Sequence, residues 1–253
     1  MALHLLADFP AETIVTQENS GENSALAANR EPRHAVGVSA MKQLVRRALG
    51  CLDNPFIWQS SRSLFELAFG LYQRRVRLLE SWGVLRDDPS VLDIGCGTGP
   101  YARITRGPYL GLDLEPKYIA YAQRRHREHA NREFCCMDAT QLVPGERRFG
   151  LTILVDVLHH IPADDVVRLL QHVGRLTRGH VASFEPVKEQ TNPIGGWIID
   201  NDRGHFMRPR DELLSLYRQA GLEMLDNREL YLGPIRTWAV LCRGQEDATS
   251  ARP

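Results

Sequence analysis

From Pro89 to Arg243 the chain alternates short apolar runs with helical stretches, and that rhythm leaves few folds open. "SVLDI", "YLGLDL", "REFCCMDA" and "FGLTILVDVL" read as strands, while "EPKYIAYAQRRHREHA", between the second and third of them, carries a helical period. "PADDVVRLLQHVGRL" follows, with Val166, Leu169, Leu170, Val173 and Leu176 on one face. Asp164 and Asp165 fall in its first turn, where carboxylates favour the helix dipole. "GHVASFEP" gives a fifth strand, "RPRDELLSLYRQAG" a helix closed by Gly221, and "LEMLDNRELYL" and "IRTWAVLCR" two final strands. Apolar runs separated by helices belong to parallel strands covered on both faces. The short link at Gly233 and Pro234 predicts that the last two strands pair antiparallel. The expected class is therefore α/β: a doubly wound, mostly parallel seven-stranded sheet with an antiparallel last strand.

The rest of the chain sets the boundaries. With 253 residues and 43% hydrophobic content there is enough apolar surface for a full core. Lys plus Arg and Asp plus Glu are 31 each, so no global field draws the chain to phosphate backbones or anionic lipid, and nucleic acid is not an expected partner. The five cysteines are odd in number and scattered, which argues against a disulfide framework and against zinc spacing. No metal is expected, and a reducing cytoplasm fits. "MALHLLADFPAET" has no basic n-region, and no apolar run reaches the roughly 18 residues of a membrane span. Thr16 to Arg33 lacks aromatic residues and apolar period, so residues 1–37 read as a flexible leader. Residues 38–88 read as an N-terminal helical cap, with Leu44, Leu49, Leu64, Leu67, Leu71, Leu78 and Trp82 at helical recurrence. Arg74, Arg75 and Arg77 there are either a solvated face or a contact for an anionic partner. Residues 89–243 form the ligand-binding domain, with an insertion at 190–210, and 244–253 a flexible tail.

The stretch "VLDIGCGTGPY", Val91 to Tyr101, sets Gly95, Gly97 and Gly99 at the end of the first strand. In an open parallel sheet, ligands bind beyond the carboxyl ends of the strands, beside such a turn. A dinucleotide site wants G-x-G-x-x-G, but the third glycine position is Pro100 here. Asp93, two residues before the turn, would oppose a pyrophosphate and favours a cationic ligand. "VLDIGCGTG" resembles motif I of the class I S-adenosylmethionine-dependent methyltransferases. The resemblance extends over about Pro89 to Arg243 and implies a Rossmann-like fold and S-adenosyl-L-methionine as cofactor. It also implies roles. Asp93, Gly95, Cys96, Gly97 and Gly99 would hold the methionyl end, with Cys96 read as a small space-filling residue rather than a nucleophile. Asp113, 20 residues after Asp93, would accept the ribose hydroxyls, with Leu114 beside it. Asp138 and Ala139 would meet the adenine, Asp138 being alternatively a turn cap. Asp156 opens "DVLHHIP", which resembles the segment lining the methyl-donor site in small-molecule members.

Methyl transfer from a sulfonium needs collinear reacting atoms in a dry pocket, and a hydroxyl acceptor also needs a base. His159, His160 and His205 are the candidates, against packing or capping roles for the "HH" pair and catalysis by proximity alone. His205 lies in "NPIGGWIIDNDRGHFMRPRD", an insertion too long and aromatic for a plain connection. There Arg203, Arg208 and Arg210, with Trp197 and Phe206, would clamp an anionic small-molecule acceptor, or else pair with Asp200, Asp202 and Asp211. Glu185 faces the acceptor or caps a turn. The expected function is transfer of a methyl group to a small molecule, at a hydroxyl oxygen. An NAD-dependent oxidoreductase and a non-catalytic adenosyl-binding module are the alternatives; acceptor identity and oligomeric state stay open.

Overall fold

The computed structural model of the protein describes residues 70–142, 148–202 and 204–245. The expected leader, most of the expected helical cap and the tail beyond Gln245 lie outside them. Seven strands form one sheet: β1 (Val91–Ile94), β2 (Tyr109–Asp113), β3 (Arg132–Cys136), β4 (Phe149–Val155), β5 (Thr177–Pro186), β6 (Met224–Leu232) and β7 (Ile235–Arg243), in the order β3-β2-β1-β4-β5-β7-β6. The first five are parallel, and β7 runs antiparallel to both β5 and β6. From β1 the chain steps outward to β2 and β3, then crosses back to place β4 on the other side of β1. The order therefore reverses at β1 and β4, where a ligand crevice opens beyond the strand ends.

Both faces of the sheet are covered, as the continuous apolar strands require. On one, α3 (Ala163–Leu176) and α5 (Arg210–Gln219) pack Val166, Leu170, Val173 and Tyr217 onto Leu92, Leu112, Leu154 and Val181. On the other, α1 (Leu71–Ser81) and α2 (Pro116–Arg125) pack Leu78, Leu79, Ile119 and Ala122 with Val91, Tyr109, Ile153 and Phe184. After the glycine turn comes only a short 3-10 helix, Pro100–Arg103. The insertion contains a further helix, α4 (Pro193–Asp200), capped by Asn192, whose side chain accepts from Gly195 N. Among the described residues, no helix is long and apolar enough to cross a membrane.

Candidate active site

Strand parity decides which side chains of β1 reach the crevice. Ile94 lines it, whereas Asp93 points to the opposite sheet face, 1% exposed, and accepts a 2.5 Å hydrogen bond from the Tyr109 hydroxyl of β2. Burial, then the neighbouring Asp93 charge, pushes the Tyr109 phenol well up, so it stays a donor. Asp93 thus lies beneath the turn, outside the lining of the cavity. Cys96 is buried below the turn as well, its thiol pushed well up by burial and by the charges of Asp93 and Asp113. Gly99 turns inward against Phe134. The resemblance implies a ligand contact for all three, and none of them lines the cavity.

Gly95 and Gly97 do border the cavity. At Gly95, with φ +69°, a Cβ would sit 2.5 Å from Val157 Cγ2. At Gly97, with φ +53°, a Cβ would meet nothing within 4 Å, so bare backbone faces open space. Asp113 ties this turn to the end of β2: its Oδ2 accepts from Gly97 N at 2.8 Å and its Oδ1 from Glu115 N at 2.9 Å. Leu114, 72% exposed, and Ala139 also line the cavity, as does Asp138, whose Oδ1 accepts from Thr140 N at 2.8 Å as a turn cap. One cavity of about 1420 Å³ takes in all of these together with the ends of β4 and β5 and the inner side of α4. That exceeds the roughly 300–1,000 Å³ of a site for a single drug-sized ligand, leaving room for two molecules side by side.

At the end of β4, Asp156 adopts φ +57° and faces α1. Both its oxygens accept from Arg75 Nη2 at 2.8 Å, and Arg75 Nη1 donates to the Tyr101 hydroxyl at 3.3 Å. Arg75 is 4% exposed. Burial alone would lower its pKa, but the Asp156 carboxylate outweighs that and raises it, so the guanidinium stays charged. Its Nε–H is buried with no hydrogen-bond partner among the described residues. Arg75 is therefore not part of a solvated face but a wall of the cavity, a role invisible to helical periodicity.

The adjacent histidines have opposite environments. His159 is 5% exposed, with Nδ1 at 2.8 Å from Glu185 Oε2 and Nε2 at 3.4 Å from Asp202 Oδ1. Burial works against its charge, yet hydrogen bonds to Asp202 and Glu185 win and push its pKa up to about 10. Glu185 is fixed in turn, its Oε1 accepting from Val157 N and Leu158 N, both at 2.9 Å. It is a turn cap rather than an acceptor-facing group. His160 reaches solvent at the border of the cavity; partial desolvation of its ring, then the His159 charge, lowers its pKa below the usual 6.5. His205 is exposed and does not line the cavity. His159, His160 and Asp202 also bring one ligand-type atom each within 4.8 Å of the others.

The far wall is apolar: Leu71, Trp197, Ile198, Leu232 and Ile235. The arginines proposed for an anionic acceptor are committed elsewhere. Arg208, 5% exposed, donates to the Leu158 and Ile161 carbonyls at 2.7 and 2.5 Å. Arg210 pairs with Asp211 at 2.8 Å and lies over the Trp238 ring. Arg203 lies outside the described residues. Trp197 joins the cavity wall as expected, while Phe206 does not.

Comparison with known proteins agrees with this geometry. A family profile described as a methyltransferase domain matches residues 91–179. A ubiquinone biosynthesis O-methyltransferase of Cereibacter sphaeroides is 29% identical over 170 residues, covering 59% of this chain and 66% of that protein. Among solved structures, a SAM-dependent methyltransferase from Methanosarcina mazei superposes with a TM-score of 0.54 at 18% identity, over 64% of this chain and 94% of that one. Magnesium protoporphyrin IX methyltransferase from Synechocystis PCC 6803, with bound SAH, does so with a TM-score of 0.52 at 18% identity, over 68% and 81%. With the sheet order and the glycine turn, these likenesses support a class I S-adenosylmethionine-dependent methyltransferase, the methyltransferase-domain match lying within residues 91–179.

Proposed function

We propose that this protein transfers a methyl group from S-adenosylmethionine to a hydroxyl oxygen of a small, largely apolar acceptor, with His160 as the base. The observation that carries the reading is the single cavity that joins the glycine turn and Asp113 to His160 and the apolar face of α4. The residues present suit the donor. Gly97 offers bare backbone to open space, Asp113 keeps lone pairs for ribose hydroxyls, and Leu114 with Ala139 offers an apolar edge for the adenine. Asp113 and Asp138 line the cavity and supply a negative fringe that suits a cation, the Asp156 charge being balanced by Arg75. Arg75, whose charged side chain lines the cavity, would meet the carboxylate of the amino-acid end. When bound, S-adenosylmethionine supplies a methyl group on a positively charged sulfur.

The protein's own residues then have three tasks. Asp113, Asp138 and Arg75 bind and orient; Trp197, Ile198, Leu232 and Ile235 hold the acceptor and exclude water. His160, neutral near pH 7, takes the hydroxyl proton, and its exposure lets that proton pass to water. His159 does not suit this task, because both its nitrogens are already engaged by carboxylates. The similarity to an O-methyltransferase of ubiquinone biosynthesis supports oxygen as the methylated atom. The test is turnover with a panel of apolar phenols, alcohols and amines: the reading predicts O-methyl products that His160→Gln suppresses. Products formed only on nitrogen, or undiminished by that change, would overturn it.

A further inference from the structure

His159 and the insertion share more contacts than a packing role needs. Glu185, at the end of β5, holds the imidazole from the sheet side through Nδ1 at 2.8 Å. Asp202, just past α4, faces Nε2 at 3.4 Å, and its Oδ1 also accepts from Gly204 N at 2.6 Å. The backbone closes over the same ring: Phe206 N donates to His159 O at 3.0 Å. A Cβ on Gly204 would collide with the imidazole, so only glycine lets the segment pass this close. The other end of α4 is moored separately, by Asn192 Nδ2 donating to Pro234 O at 2.7 Å.

A neutral imidazole donates from one nitrogen only. If Nδ1–H went to Glu185, a lone pair on Nε2 would face the Asp202 carboxylate and repel it. Only an imidazolium satisfies both carboxylates, so the bridge between β5 and the end of α4 is a three-part ionic link with its cation in the middle. The upward shift of the His159 pKa, opposed by burial but driven by Asp202 and Glu185, agrees. Among the described residues, Asp156 and the lowered-pKa His160 also face the ring, the latter as a ring contact at 4.1 Å between centroids.

We propose that His159 is a positioning residue: its cation latches the C-terminal end of α4 to the sheet and so holds Trp197 and Ile198 in the acceptor wall. This rests on the reading that the α4 side of the cavity receives the acceptor. The two histidines then divide the work, the first fixing the wall and the second meeting the substrate.

Asp202→Ala tests it without touching the imidazole. The expected result is an acceptor KM raised about ten-fold, the order of one charge-assisted hydrogen bond lost at a partly exposed site, with kcat changed by less than about three-fold. Amide exchange over residues 195–202 should speed about as much, while affinity for S-adenosylhomocysteine holds. Asp202→Asn, which keeps the shape of the side chain but not its charge, should recover only a minor part of the loss, and full recovery would overturn the ionic link. His159→Gln should copy Asp202→Ala. Unchanged exchange over 195–202 in both Asp202→Ala and His159→Gln overturns the latch, and so does an imidazole ¹⁵N spectrum showing His159 neutral at pH 7.5. A requirement for zinc or manganese, lost on chelation and restored by the metal alone, would also overturn it by making the cluster a cation site. The exchange and ¹⁵N measurements need no acceptor, so failure of the proposed activity and failure of the latch are read separately.

Discussion

Removing the two halves of the Arg75–Asp156 pair is expected to cost very different amounts of stability. Arg75 is 4% exposed, whereas the Asp156 side chain is 38% exposed. Asp156→Ala leaves a guanidinium inside the protein with no carboxylate, and breaking a buried pair this way costs about 3–5 kcal/mol. Alanine must also hold the left-handed conformation at φ +57°, which costs about 1 kcal/mol more. Arg75→Met removes the cation, refills much of its volume and lets the half-exposed Asp156 rehydrate, so the loss is about 1–2 kcal/mol. At about 2–4 °C per kcal/mol for a domain of this size, Asp156→Ala should lower Tm on the order of 10–20 °C and Arg75→Met by less than half of that. Asp156→Asn, which tolerates the left-handed region and keeps one acceptor, should fall between. Differential scanning calorimetry with urea denaturation measures all three. Equal losses for Arg75→Met and Asp156→Ala would refute the reasoning, because they would mean that Arg75 rehydrates as readily as Asp156.

Two further outcomes follow from the same geometry. Asp113→Ala removes the proposed ribose acceptor and also the partner of Gly97 N, so calorimetric titration should show S-adenosylhomocysteine bound about 2–4 kcal/mol more weakly; an unchanged affinity would contradict the proposed role of Asp113. For His160, burial and the His159 charge lower the pKa from 6.5, so kcat/KM should be level at neutral pH and fall as pH drops, with its inflection below 6.5. His160→Gln should lower kcat about 10²- to 10⁴-fold and abolish that inflection, and an inflection above 7 would contradict the assignment.

The fold was legible because strands and helices alternate with the periods that burial on two faces demands. The antiparallel end was legible from Gly233 and Pro234, and α5 and β5–β7 lie where the apolar pattern puts them. The site was legible in part. Gly95, Gly97, Asp113, Leu114, Asp138, Ala139, Asp156 and both adjacent histidines do line one cavity. Asp93 and Cys96 do not, because spacing to a glycine turn does not say on which side of the sheet a side chain in β1 or in the turn after it falls. Arg75 meets Asp156 across 81 residues of sequence, and nothing local in "QRRVR" sets it apart from Arg74. The difference between His159 and His160 rests on Glu185 and Asp202, which only the tertiary structure brings to the same ring. Arg208 looked like an anion clamp because a charge in a loop reads as free until its carbonyl partners are seen.

The central claim is methyl transfer to oxygen inside one cavity shared by donor and acceptor. Incubating the protein with S-adenosylmethionine carrying an isotopically labelled methyl group and a panel of apolar phenols, then resolving products by mass spectrometry, tests it directly. The account predicts a labelled methyl ether on at least one phenol, with loss of the label when His160 is replaced by Gln. Tight binding of S-adenosylhomocysteine with no labelled ether from any phenol or alcohol would contradict it.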